Sequence, residues 1–425
     1  MRVVVIGLGY SGIATALSLC EIGHTVVGID INPNKVVSLN MGKSPVYEPD
    51  TDHLIYKYVN ENKLMFRDNY SLVSTCQAVM FCVNAGLNNE FGLEYNELAT
   101  AVKSVIPHTK SNIPLIIRTT VEPGTCQNLY EFLEREAPFT DISLIYFPDF
   151  SKHGTAMRDN LFPDRIVIGC SNRKHAEVVC ELYANNCKTF VITSWVNAEI
   201  IKLSSDVFLA TKISYINLLS RLSDALGGDI EDISLGLGLD SRINPGALQA
   251  GMGWGGSELP KDVMVFNRML TEIGIDNHII NGVIGINDNQ VTYLANKIEK
   301  ALKGLKGKEI AILGLTYKPD TDDISDSKSM ELARYLMLRG AVIKVYDPIR
   351  NDKIPNFKAD HYVDIEKTIA YSQAVIVATP WKDFSNLNWV DIKNWMGGSL
   401  IVDAQNTLNR QDIEGVGLRY LGIGK

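Results

Sequence analysis

The stretch from Arg2 to Asp30 constrains the fold more than any other. "RVVVIG" is an apolar strand, "LGYSGIATALSLCEIG" a glycine turn that opens into a helix, and "HTVVGID" a second strand. Strands without polar alternation are buried on both faces, and two such strands joined by a helix run parallel. The chain therefore begins as a strand, crossover helix, strand unit of a parallel sheet. The alternation recurs in "AVMFCVNA", "YNELATAVKSVIPHT", "IPLIIRTTV" and "TCQNLYEFLEREA", so the sheet extends over the first part of the chain.

Around Trp195 the pattern changes. From Asn197 to about Leu226, apolar residues recur at three- and four-residue spacing, which predicts one long helix of the kind that bridges domains or forms a dimer interface. After "KGLKGK" a new strand, Glu309 to Leu313, starts a second run of the same grammar with "SKSMELARYLMLRGA", "VIKVYDP" and "AVIVATP". The expected fold is α/β: two doubly wound, Rossmann-like domains joined by a helical central one, over residues 1–194, 195–304 and 305–425.

The turn Gly7-Leu8-Gly9-Tyr10-Ser11-Gly12 sits between a strand and a helix, and Asp30 ends the next strand. Such glycines let a pyrophosphate approach the helix N-terminus, while the acid takes the adenosine ribose hydroxyls. A dinucleotide is the expected cofactor. Asp30 would repel a 2′-phosphate, so NAD is favoured over NADP, with the nearby Lys35 pulling the other way.

A net charge of −8 without a Lys/Arg cluster excludes binding driven by neutralising nucleic-acid phosphates. No apolar run approaches the length of a membrane span, and the start "MRVVVIGLGY" has no secretory pattern, so a cytoplasmic location is expected. The seven cysteines show no CxxC or CxxH spacing, none follows Cys187, and no metal site is expected.

The ordered series "GKSPVYEP", "TTVEPGT", "FPDRIVIG", "AEIIKL", "GWGGSELPKD", "GLTYKPDTDD" and "YDP", together with the glycine turn, resembles the UDP-glucose/GDP-mannose dehydrogenase family over nearly the whole chain. The resemblance implies an N-terminal NAD domain, a dimer built on the long helix, and a C-terminal domain that grips a UDP-sugar. In that family a cysteine in "GxGFGGSCxPKD" traps an aldehyde for a second oxidation to the acid. Here that position is Glu258.

Neighbouring positions also differ. The family's "NPEFLxEG" is replaced by "FPDFSKHG", placing Asp149 and His153 where it carries two glutamates, and the asparagine paired with its lysine is Asp206, four residues after Lys202. Thr120, Lys261, Asp262, Arg242 and Lys318 are retained, and the resemblance makes Phe150, Lys152, Lys202, Arg242, Gly255, Lys261 and Lys318 the sugar-nucleotide contacts. Thr120 also borders the cofactor. The arginine of the family's "DDxRE" is absent from "DDISD".

A carboxylate cannot replace a thiolate in trapping an aldehyde for a second hydride transfer. The expected reaction is therefore one two-electron oxidation of a UDP-sugar, with Lys202 stabilising the oxyanion and Glu258 or His153 taking the proton. Two alternatives stay open: oxidation at C4 of UDP-glucuronate followed by decarboxylation, and a protein that binds the UDP-sugar without turning it over.

Overall fold

The computed structural model describes residues 1–109, 113–136, 142–350 and 352–425. Val3, Val4 and Val5 are completely buried, as a strand covered on both faces requires. The chain divides into two compact units, Met1–Ser205 and Asp206–Lys425.

The first unit is an eight-stranded sheet in the order Phe190–Thr193, Ile166–Cys170, Leu144–Tyr146, Leu115–Ile117, Ala78–Phe81, Arg2–Ile6, Thr25–Ile29, Leu64–Arg67. Strand Arg2–Ile6 pairs in parallel with Thr25–Ile29 on one side and with Ala78–Phe81 on the other. Chain direction along the sheet therefore reverses beside Gly7, and such a switch point opens a crevice at the strands' carboxyl ends. Two clusters, one on Leu17, Phe66 and Ile145 and one on Phe81, Ile117 and Tyr146, fill the two sides of the sheet.

One departure from a wholly parallel sheet occurs at its edge. Ile166–Cys170 pairs antiparallel with Leu144–Tyr146, and Phe190–Thr193 follows it in parallel. The segment between Tyr146 and Ile166 carries only the short helix Ala156–Leu161, so the chain turns back without a full crossover.

The long helix spans Trp195–Leu226, starting two residues before the apolar periodicity does. In the second unit, helices Ile230–Gly238, Leu259–Glu272, His278–Asp288 and Gln290–Leu302 precede a wholly parallel six-stranded sheet. Its order is Asp360–His361, Val342–Tyr346, Glu309–Leu313, Ala374–Val377, Leu400–Asp403, Arg419–Leu421. The opening strand again lies beside the switch point, which repeats the grammar of the first sheet. No helix among the described residues is long and apolar enough to cross a membrane.

Candidate active site

The glycine turn is built by close approaches. Gly7 has φ +87°, and a Cβ there would lie 2.8 Å from the Val83 amide nitrogen. A Cβ on Gly12 would lie 1.8 Å from the Gly7 carbonyl oxygen. Gly9 differs: it is the N-cap of helix Tyr10–Ile22, no side chain caps that end, and a Cβ on it would meet nothing within 4 Å. Open amides and open space at a helix N-terminus fit a pyrophosphate, so the residues present suit a bound dinucleotide.

Asp30 completes this cradle. Its carboxylate accepts the Leu8 amide at 3.0 Å and the Asn32 amide at 3.0 Å, and the Lys35 Nζ lies 2.7 Å away. Burial opposes its ionisation, but Lys35 and the two amides outweigh that and hold the carboxyl below the usual range.

The segment Asp149–Ala156 lies against the same turn. The Ser11 hydroxyl donates to Asp149, whose other oxygen is 3.0 Å from the Arg118 guanidinium and accepts the Ser151 amide at 3.0 Å. The His153 ring stacks on Tyr10 with centroids 4.0 Å apart and planes 17° from parallel. Glu48 clamps the far end by accepting the amides of Gly154 at 2.6 Å and Ala156 at 2.7 Å. Asp149 thus serves as an ion-pair partner. Burial alone would raise its pKa, yet Arg118, the Ser11 hydroxyl and Ser151 depress it.

Deeper in the unit, Lys202 is 1% exposed and its Nζ lies 5.6 Å from the centre of the Phe150 ring. The Arg165 guanidinium covers the same ring at 4.3 Å and also donates to the Ser205 hydroxyl. Asp206 follows Lys202 one helical turn later and is half-buried. Thr120 follows Thr119, whose hydroxyl donates to the Val83 carbonyl at 2.8 Å. Lys152 is exposed, 3.7 Å from Asp159.

In the second unit the segment Gly251–Glu258 is held by hydrogen bonds at Gly251, Trp254 and Gly256. The Gly251 amide donates to Asn217, the Trp254 amide to Asn287, the Trp254 indole to Ser214, and the Gly256 amide to the Ser325 carbonyl. A Cβ on Gly255 would lie 2.2 Å from the Asp326 carbonyl oxygen; Gly256, at φ +93°, would put one 2.7 Å from the Tyr317 ring. The glycines therefore let this loop pack against Tyr317–Asp326, the segment that carries Lys318.

Glu258 is the N-cap of helix Leu259–Glu272 and is exposed. Its carbonyl accepts the amide of Asp262, which is completely buried in the first turn, while Lys261 is half-buried. Lys318 lies 5.7 Å over Tyr317. Arg242 is exposed and holds Asp240 at 2.6 Å.

Four supporting residues have no role assigned by the motifs: Glu48, Arg165 and Glu199 lie within "GKSPVYEP", "FPDRIVIG" and "AEIIKL", and Arg118 lies outside them all. Glu199, wholly buried, accepts the amides of Gly124 at 2.7 Å and Cys126 at 2.8 Å at the start of helix Thr125–Glu136. Arg118 had one cue available, a lone guanidinium at the end of an apolar strand. All seven thiols lie in the first unit; burial raises Cys82 to about 11 and Cys20 to about 12. Among the described residues no group of His, Cys, Asp or Glu could hold a metal ion.

Comparisons with known proteins agree with this geometry. Residues 1–187 match the NAD binding domain of the UDP-glucose/GDP-mannose dehydrogenase family, residues 196–289 its central domain and residues 311–410 its UDP binding domain. The chain is 32% identical to a UDP-glucose 6-dehydrogenase of Rickettsia felis over 100% of this chain and 96% of that one. It is 33% identical to one of Bacillus subtilis, over 100% and 98%. A UDP-glucose dehydrogenase structure from Pyrobaculum islandicum superposes with a TM-score of 0.90 at 29% identity, covering 100% of this chain and 97% of that one. NAD is the cofactor that the first domain implies. The chain belongs to the UDP-glucose/GDP-mannose dehydrogenase family.

Proposed function

We propose that this chain carries out one NAD-dependent, two-electron oxidation of a UDP-sugar and lacks the covalent thiol step. What supports the reading is Glu258 at the end of a closely packed glycine loop and the head of helix Leu259–Glu272, in the stretch "GWGGSELPKD" that resembles the family's cysteine motif. That loop is kept while its nucleophile is changed. The thiols offer no substitute, since none lies beyond Cys187 and burial disfavours the thiolate of Cys82 and Cys20.

When bound, NAD accepts the hydride that leaves the sugar carbon. The alcohol loses that hydride and a proton and becomes a carbonyl, so NADH and one proton balance the step. Lys202 supplies positive charge to the developing oxyanion, an interaction strengthened where water is excluded. Glu258 or His153 takes the hydroxyl proton. Asp206, Asp262 and Thr120 complete the catalytic set; Lys152, Arg242, Gly255, Lys261 and Lys318 contact the nucleotide sugar.

The protein acts as a homodimer in the cytoplasm. On the second unit Phe208, Tyr215, Leu222 and Leu226 stand 51–77% exposed along the long helix, with Leu235 exposed on helix Ile230–Gly238 and Leu239 exposed at its C-terminal cap. Apolar surface on that scale suits a subunit interface. The test of function is product analysis with UDP-hexoses and UDP-uronates: one NADH and a keto or aldehyde sugar nucleotide support the reading. Carbon dioxide from UDP-glucuronate would favour oxidative decarboxylation, and stoichiometric binding without NADH would favour a non-catalytic protein.

A further inference from the structure

We propose that Arg118 is a positioning residue for the cofactor: through Asp149 it holds both the first turn of helix Tyr10–Ile22 and the segment that carries His153. The guanidinium is 2% exposed, lies over one aromatic ring, and meets two side-chain oxygens through a single terminal nitrogen. Asn160 accepts from it at 2.9 Å, the Phe147 ring lies 4.4 Å beneath it, and Asp149 is 3.0 Å away. A guanidinium held this way cannot follow a moving carboxylate, so it fixes where Asp149 sits. Asp149 passes that constraint on in two directions, to the Ser11 hydroxyl on the cofactor turn and to the Ser151 amide of its own segment. The stack of His153 on Tyr10 is a second tie between the same two elements, 4.0 Å apart at the ring centroids.

The chemistry explains why the tie is ionic. Ser11 belongs to the turn whose helix end receives the cofactor's diphosphate, and a carboxylate beneath it would be repelled by that diphosphate if it were free to move. Arg118 neutralises Asp149 and holds it against the Ser11 hydroxyl. Displacing such a group by about 1 Å is enough to degrade binding geometry markedly.

The experiment moves one methylene across the pair in the full-length protein. Arg118→Lys shortens the cation, Asp149→Glu lengthens the anion, and the double variant restores the span. NADH affinity is measured by calorimetry, thermal stability by melting, and kcat separately from KM for NAD. Each single variant is expected to weaken NADH binding on the order of tenfold and to raise the KM for NAD, and the double variant to recover most of that loss. Single variants that melt earlier but bind NADH as before overturn the proposal, as does a double variant no better than the weaker single. Should Arg118→Lys not fold, Ser11→Ala decides by amide exchange in the NAD-free protein. Faster exchange across Asp149–Ala156 supports the strut, because a side chain that only touched the cofactor would leave that segment unchanged; unaltered exchange overturns it.

Discussion

Asp30 and Asp347 occupy equivalent points of the two sheets and perform the same local task. Each follows the second strand of its sheet and accepts the amide just past the glycine of the first turn, Leu8 at 3.0 Å and Leu315 at 2.7 Å. Each also accepts amides in its own turn, Asn32 for Asp30, and Ile349 and Arg350 for Asp347. Asp30 additionally holds Lys35 at 2.7 Å. The Asp30 carboxylate is thus partly neutralised before any ligand arrives.

Lys35→Met is expected to widen the preference for NAD over NADP. Removing the ammonium leaves the Asp30 charge to face a 2′-phosphate alone. Because Lys35 is 27% exposed, solvent screens the pair, and the change should be about five- to tenfold in the ratio of dissociation constants. Titration of both cofactors into both proteins checks it; an unchanged or narrowed ratio contradicts it.

The glycines separate into two kinds by what a Cβ would meet. Gly9→Ala touches nothing within 4 Å, so its melting temperature should stay put while NAD binding falls at least tenfold, because the methyl fills the diphosphate's approach. Gly255→Ala drives a methyl to 2.2 Å from the Asp326 carbonyl oxygen and should cost about 1–3 kcal/mol of stability while leaving NAD affinity near its starting value. Melting curves and NAD titrations on the two variants test the division.

Acid should unfold the protein partly through Asp149. Its folded pKa lies below its unfolded value of about 3.9, so its stabilisation is complete above that value and is lost as pH falls through the folded pKa. Stability measured by denaturant titration should therefore drop steeply below about pH 4. In Asp149→Asn the slope in that window should be shallower, although the protein is weaker throughout, because Arg118 is left buried without a counter-charge. Equal slopes would remove Asp149 from the account.

The architecture was legible because buried parallel strands and crossover helices write their periods directly into the residues. "RVVVIG" and "EIAILG" open the two sheets as expected, and the long helix differs from its apolar pattern only at its start. The reversed strand Ile166–Cys170 was not legible, since a fully buried strand looks the same in either direction. In the site, the glycine turn and Asp30 could be read locally. Asp149 could be found by resemblance, but its pairing could not: Ser11 lies 138 residues away, and Glu48 reaches its two amides across 106 and 108 residues. Contacts at that range come from the folded sheet, and no spacing rule in one sequence anticipates them.

The exposed face of the long helix predicts assembly. Light scattering at micromolar concentration should give twice the chain mass of 47.1 kDa. The double substitution Leu222→Asp, Leu226→Asp should shift that toward the monomer by placing charges on the apolar face. A monomeric wild-type protein would contradict the homodimer.

The most direct test of the central claim is the number of NADH molecules formed per UDP-sugar consumed, read by absorbance and by mass spectrometry of the product. The expected number is one, on the proposal that Glu258 stands where the family motif has its cysteine. Glu258→Gln should lower turnover by about 10² to 10⁴ while leaving NAD affinity unchanged. Two NADH per UDP-glucose with UDP-glucuronate as product, from the unaltered protein, would contradict it.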